Sequence, residues 1–211
     1  TYENFVVAIN ELSFFAMWLL EAFCRFFREQ TGVDIIKAVD SSKLSVCHIK
    51  REFGHKVTKR IAAKSKGSMG WFYGFKLHII VNQLMEILEA TITPGNKDDR
   101  EGMAIIWSHI FGLIVADAGY VGANWQTKAR DLGKTLFAAV RANMKKLMTK
   151  LQHQILRCRQ VVETVFSVLK LRLGMETTLP RSELGYFAHY MWCLAAYQLT
   201  KYFKRIYRSQ V

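Results

Sequence analysis

Arg159-Gln160-Val161-Val162-Glu163-Thr164-Val165-Phe166-Ser167-Val168-Leu169-Lys170 carries one carboxylate in an apolar run bounded by two cations. No Gly or Pro occurs from Gln152 to Leu173, so the spacing predicts one continuous helix. Val162, Phe166, Leu169 and Leu173 recur at helical spacing, and Val161, Val165 and Val168 widen the stripe, so most of this helix is expected to be buried. At 100° per residue, Arg159 and Lys170 fall within about 40° of Glu163, and the three share one side. Taken alone, Arg159 and Glu163 form an i,i+4 ion pair at the edge of a core helix. Two further acids elsewhere in the chain give Glu163 a second reading.

The 211 residues suffice for a single domain with a real core, and 51% of them are apolar. Thirty Lys and Arg against seventeen Asp and Glu leave a net charge of +13, unevenly spread. Residues 50–76 hold eight bases and one acid, Glu52; residues 123–175 hold eleven bases and two acids, Asp131 and Glu163. Such blocks suit a polyanion, most simply nucleic acid. Cys24, Cys47, Cys158 and Cys193 show no paired spacing, which argues against disulfides and zinc and fits a reducing cytosol. The greasiest runs, Phe14–Phe27 and Tyr186–Leu199, are too short for a bilayer and are interrupted by Glu21, His189 and Gln198, so no membrane is expected.

In chain order, Glu3 to Glu29 reads as one helix with an apolar face of Phe5, Trp18, Leu19, Phe23 and Phe26. Ile35 to Val39 is a short strand that stops at Asp40, and Ser45 to Gly70 reads as a basic loop or flexible hairpin arm. Trp71–Val81 and Ile87–Thr93 form a hairpin, with Lys76 and His78 on one face. Asp98, with Glu101 three residues on, makes a capping box for a helix through His109, and capping is also the reading for Asp99. Leu113 to Ala116 is a second apolar strand stopping at an acid, Asp117. A helix over Ala123–Leu132, a strand over Thr135–Val140 and a last helix from Ser182 to about Arg205 complete the chain. If the strands ending in Asp40 and Asp117 lie side by side under the helix bearing Glu163, the three acids converge. Oxygen ligands without His or Cys suit Mg²⁺ or Mn²⁺. Carboxylates of this kind can hold two ions about 3.5–4 Å apart across a phosphodiester.

The chain resembles the DDE transposases of bacterial insertion sequences. The resemblance runs from about Phe5 to Phe203. It rests on Val39-Asp40-Ser41, on Gly67 to His78, on Thr93-Pro94-Gly95-Asn96-Lys97-Asp98-Asp99-Arg100, on Ala116-Asp117-Ala118-Gly119-Tyr120, and on the Arg159/Glu163/Lys170 spacing. Leu156 stands where many such relatives have Tyr, and Ala118 where a charged residue is common. The resemblance implies an α/β, ribonuclease-H-like fold: a mixed sheet flanked by helices, with extra N-terminal and C-terminal helices. It implies one catalytic domain over residues 1–211, divided into a helical lead-in (1–33), a core (34–175) and a C-terminal helix (176–211). Asp40, Asp117 and Glu163 become a catalytic triad holding two Mg²⁺ or Mn²⁺ ions. Arg159 and Lys170 become residues that face DNA phosphates, joined by the basic Lys76, Lys145 and Lys146. The implied activity is cleavage of transposon ends and strand transfer into double-stranded target DNA by a homodimer in the bacterial cytoplasm, at the nucleoid. The relatives' N-terminal DNA-binding segment is expected to be missing. A structure-selective nuclease of the same fold, and an inactive or repurposed copy that binds DNA without cutting it, are the alternatives.

Overall fold

A mixed sheet occupies the centre of the molecule, and the computed structural model describes it with its flanking helices over residues 1–32, 35–67, 70–120, 123–138 and 149–208. Its strands are β1 (Lys37–Cys47), β2 (Ala63–Gly67), β3 (Gly70–Asn82), β4 (Ile87–Pro94), β5 (Gly112–Ala116) and β6 (Lys134–Ala138). They lie in the order β2-β3-β1-β5-β6. β1 and β3 are antiparallel; β1, β5 and β6 are parallel. β2 and β4 share the other edge of β3 end to end, β2 against Gly70–Gly74 and β4 against Phe75–Val81. The helices are α1 (Tyr2–Glu11), α2 (Ser13–Glu29), α3 (Asp99–Ile106), α4 (Ala123–Asp131), α5 (Lys150–Arg157), α6 (Gln160–Ser167) and α7 (Glu183–Arg208). The mixed sheet flanked by helices expected of a ribonuclease-H-like fold is the one that forms.

Strand alternation divides the core in two. On one face Ala38, Leu44, Leu77, Ile79 and Val81 pack under Val162, Val165 and Phe166 of α6 and Leu194 of α7. On the other, Val39, Ile80 and Ile114 meet Phe27 of α2 and Met103 and Ile106 of α3. The β3–β4 connection is the short turn expected, with Met85 in the left-handed region at φ 62°. α7 grips it: Tyr197 donates to the Met85 carbonyl at 2.6 Å, and the Gln198 amide bonds both the N–H and the carbonyl of Ile87. Among the described residues no single helix is long and apolar enough to cross a membrane.

Several elements differ from the sequence expectation. β1 does not stop at Asp40 but runs seven residues further, because β3 pairs with it as far as Cys47. The stretch Ser45–Gly70, expected as a basic loop or flexible hairpin arm, contains the end of β1, a 3₁₀ turn at Ile49–Gly54, and β2, which pairs antiparallel with the start of β3. The single N-terminal helix is two, bent by 55° at Leu12. α2 buries Ala16, Leu20, Phe23, Cys24 and Phe27, whereas Phe5 and Trp18 are exposed. The bend turns α1 toward α7, where Trp192 donates to the Ile9 carbonyl at 3.1 Å. The helix predicted over Gln152–Leu173 is also broken. α5 ends at Arg157, α6 starts at Gln160, and Val168–Arg172 is one wide π turn. At the junction Cys158, Arg159 and Val162 bond the carbonyls three residues back (Ile155, Leu156 and Arg159), a tightened turn that needs neither Gly nor Pro.

α3 can approach β3 only because residue 102 is Gly. His78 is fully buried and shares a 2.9 Å bond with the Thr93 hydroxyl. A Cβ at position 102 would stand 2.3 Å from its ring. Burial pulls the His78 pKa down to about 4, so the imidazole is neutral and structural. Gly102→Ala is therefore expected to cost about 3 kcal/mol, the upper end for overpacking, read as a lowered denaturant midpoint. Gly54→Ala, where a Cβ meets nothing within 4 Å, serves as control. Equal midpoints for the two variants would contradict this packing.

Candidate active site

β1 and β5 run parallel with Ala38 opposite Val115. Two residues past that pair, Asp40 continues β1 and Asp117 stands just beyond the end of β5, at the same end of two strands whose axes are about 4.8 Å apart, near enough for the Asp117 charge to act on Asp40. β5 ends at Ala116, and Asp117 closes the following 3₁₀ turn: Tyr120 N–H donates to its carbonyl at 3.0 Å and Ala118 N–H to its Oδ1 at 2.7 Å. Asp40 lies opposite Ile79, on the sheet face covered by α6. Glu163 is in the first turn of α6, 58% exposed.

Arg159 joins the helix to the sheet. Its Nη1 donates to Asp40 Oδ2 at 2.7 Å and its Nη2 to Glu163 Oε1 at 3.0 Å. The i,i+4 pair expected from sequence is present, with a second arm on Asp40. Asp40 is only 19% exposed. Burial pushes its carboxyl up to about 6, and Asp117 and Asp99 push the same way, against the Ser41 N–H and Arg159. Burial and like charges therefore outweigh the guanidinium.

A fourth carboxylate belongs to this neighbourhood. Asp99 Oδ1 accepts from Ser41 Oγ at 2.7 Å and from Lys76 Nζ at 3.0 Å. Tyr120 is buried beside Asp40, Asp99 and Ser41, and burial followed by those two acids raises its hydroxyl pKa far above the usual range. The capping expected of both aspartates falls to Asp98 alone, which accepts from the Arg100 N–H at 2.9 Å. The Arg100 guanidinium holds the Asp98 carboxyl down at about 2. Glu101 completes no capping box and pairs with Lys97 instead. Only the Asp-Asp doublet in the sequence hinted that one of the two was available for another role.

Of the cations predicted for DNA, Arg159, Lys76 and Lys170 are engaged within the fold. Lys76 also donates to the Lys97 carbonyl at 2.8 Å. Lys170 stands away from Glu163, pairing with Glu176 at 3.0 Å and donating to the Lys43 carbonyl. Glu176 in turn accepts from the Ser45 N–H, so Lys170 fastens the π turn to β1. Lys145 and Lys146 lie outside the described residues.

Among the described residues no trio of His, Cys, Asp or Glu has its donor atoms already gathered as around one ion. Asp40 and Glu163 meet through Arg159, and Asp117 faces Asp40 without a shared hydrogen bond. The chemistry of the site still fits a hard divalent cation. Four carboxylates (Asp40, Asp99, Asp117, Glu163) against two cations (Arg159, Lys76) leave two negative charges, and every donor is oxygen. A cavity of about 680 Å³ with mainly apolar walls lies between α2, β4 and α7 and touches none of these acids.

The sequence profile described as "Transposase DDE domain" matches residues 29–183, more than half of the chain and inclusive of all three predicted acids. The chain belongs to the transposase DDE domain family. The cryo-EM structure of the piggyBac transposase synaptic complex with hairpin DNA is similar at a TM-score of 0.47 and 8% identity, over 80% of this chain and 48% of that one. This transposase domain thus spans about half the length of that chain. No curated protein matches it.

The electrostatics of this transposase domain predict a pH-dependent gain for Asp40→Asn. With its folded pKa raised to about 6 from 3.8, Asp40 costs the metal-free protein nothing below pH 3.8. The cost grows as pH rises to about 6 and is constant above, at about 3 kcal/mol at most. In chelator, Asp40→Asn is expected to melt higher than wild type at pH 7.5, and the gap is expected to close by about pH 4. A gap of one size at both pH values would contradict the charge account.

Proposed function

We propose that this chain is the catalytic domain of a DNA transposase, cutting phosphodiester bonds at transposon ends and joining the freed 3′ end to target DNA. The gathering of Asp40 on β1 and Asp117 just past β5 at the same end of two adjacent parallel strands, with Glu163 on α6 joined to Asp40 through Arg159, supports this reading. Asp40, Asp117 and Glu163 are the proposed ligands for Mg²⁺ or Mn²⁺, two ions when DNA phosphate supplies further oxygens. When bound, the divalent metal acts as a Lewis acid at the phosphate and provides a water-derived nucleophile at neutral pH.

The remaining tasks belong to side chains of this domain. The Arg159 guanidinium spans the gap between Asp40 and Glu163, and its planar fork also matches a phosphate. Asp99 orients Ser41, whose N–H in turn holds Asp40 Oδ1 at 2.8 Å. Lys76 offsets part of the charge that Asp99 adds beside the triad. Tyr120, kept protonated, lies buried beside Asp40 and Asp99. The exposed bases of residues 50–67 are the proposed track for the DNA backbone. Handling two transposon ends together would call for two copies of the domain.

The test is a cleavage and joining assay on labelled duplexes with and without pre-cut ends. Asp40→Asn, Asp117→Asn and Glu163→Gln are each expected to lower both steps by more than about 100-fold. Duplex affinity is expected to persist and to fall steeply with salt as counterions are released. Cutting without joining would favour the nuclease reading, and binding without either step the repurposed copy. Full activity in any triad variant would remove that residue from the site.

A further inference from the structure

The β2–β3 hairpin ends in a feature that core packing does not explain. Trp71 is 56% exposed and Phe53, in the 3₁₀ turn after β1, is 91% exposed. Between them stands the Lys64 ammonium, 5.5 Å from the centre of the Trp71 ring and 6.0 Å from that of Phe53. Lys64 also bonds Glu52 at 2.7 Å, which neutralises the one acid in residues 50–76. Of the eight bases in that stretch, all but Lys76 are exposed. Lys66 pairs directly opposite Trp71 across the two strands and therefore shares its face. Beside Trp71 opens a cavity of about 420 Å³, walled by Lys43, His48, Ile49 and Leu179. That volume lies in the range of small-ligand sites, roughly 300–1,000 Å³.

Exposed flat rings set among cations form the combination that takes nucleobases: the rings stack on any base while the ammonium groups meet its phosphates. We propose that Trp71, Phe53 and Lys64 form a stacking platform for an unpaired nucleotide of DNA. This rests on the DNA reading above and adds to it a second contact, away from the carboxylates. Trp71 is eight residues before Ile79, the partner of Asp40, and so lies on the same sheet face. The separation along β3 is about 27 Å, or some eight base steps of a duplex. A duplex laid along β3 and cut or frayed eight steps from the carboxylates would present its loose base here. The exposed bases at this end suit phosphates, and both rings stay largely open to solvent with Lys64 set against them.

The experiment measures binding of three probes by fluorescence anisotropy: a blunt duplex, the same duplex with a six-nucleotide single-stranded tail, and that duplex with an abasic tail. Wild type is expected to favour the intact tail over the abasic one by about 5- to 100-fold, the worth of one stacked base. Trp71→Ala and Phe53→Ala are expected to shrink that preference while leaving blunt-duplex affinity within about twofold. Trp71→Phe is expected to restore most of it, since stacking needs a ring and not an indole. Because both side chains are exposed, loss of folding is not expected, and an unchanged melt checks this. Equal binding of intact and abasic tails by wild type, or an undiminished preference in Trp71→Ala, would overturn the platform and leave the DNA reading standing. Failure to bind any of the three probes would overturn the DNA reading and the platform with it.

Discussion

Where Lys37 and Ala38 pair with Ile114 and Val115, β1 and β5 run parallel for only two residue pairs, and that short contact fixes the relation between the two aspartates. Side chains alternate along a strand, so a slip of one residue would turn Asp40 to the opposite face of the sheet. The register is held from both sides. β3 pairs with β1 along most of its length, and β6 pairs with every residue of β5. The apolar residues around the acids enforce the same choice. Ala38, Ile79 and Val81 fill the space under α6, and Val39 and Ile114 fill the space toward α3. A shifted strand would exchange these buried residues for Asp40, Ser42 and Lys43.

Holding acids close together in this way costs stability, and the fold offsets only part of the cost. Arg159 touches both Asp40 and Glu163, and Lys76 holds Asp99, yet Asp40 remains harder to ionise than a free carboxyl. A fold selected for stability alone would replace a buried acid of this kind by an apolar residue. Retaining it, beside a second and a third acid, is the sort of strain found at working sites. The broken helix serves the same arrangement. The tight turn at Cys158 sets Arg159 at the head of α6, from which its side chain reaches the sheet as well as its own helix.

Much of this was legible in the sequence, for physical reasons. Leu113 to Ala116 is an apolar run whose last three residues are buried in the sheet, and the run's abrupt end at Asp117 announced a strand terminus. The valine stripe of α6 gave the buried face, and its spacing gave the Arg159–Glu163 pair. Asp40 was harder to place. Beyond it come Ser41, Ser42 and Lys43, which read as a turn but continue β1 because β3 lies alongside, and that pairing is a tertiary fact. The break after Arg157 carried no Gly or Pro to mark it. Asp99 was hidden by its neighbour, since capping is a local role that either residue of the doublet could fill, and only α3 docked on β3 shows which one faces Ser41. The partnership of Lys170 with Glu176 was likewise invisible, because the π turn that rotates Lys170 away from Glu163 leaves no mark in the residue pattern.

The central claim is that Asp40, Asp117 and Glu163 act together as one cation site. Thermal melts of wild type, Asp117→Asn and Glu163→Gln, each with chelator and with Mn²⁺, address it without requiring DNA. A cation that binds only the folded state stabilises by mass action, about 2.7 kcal/mol at a hundredfold excess over Kd. The account predicts that Mn²⁺ raises the wild-type melt clearly and that either substitution blunts the rise, with Asp117→Asn also melting higher than wild type in chelator. Identical wild-type melts with chelator and with saturating Mn²⁺ would contradict it.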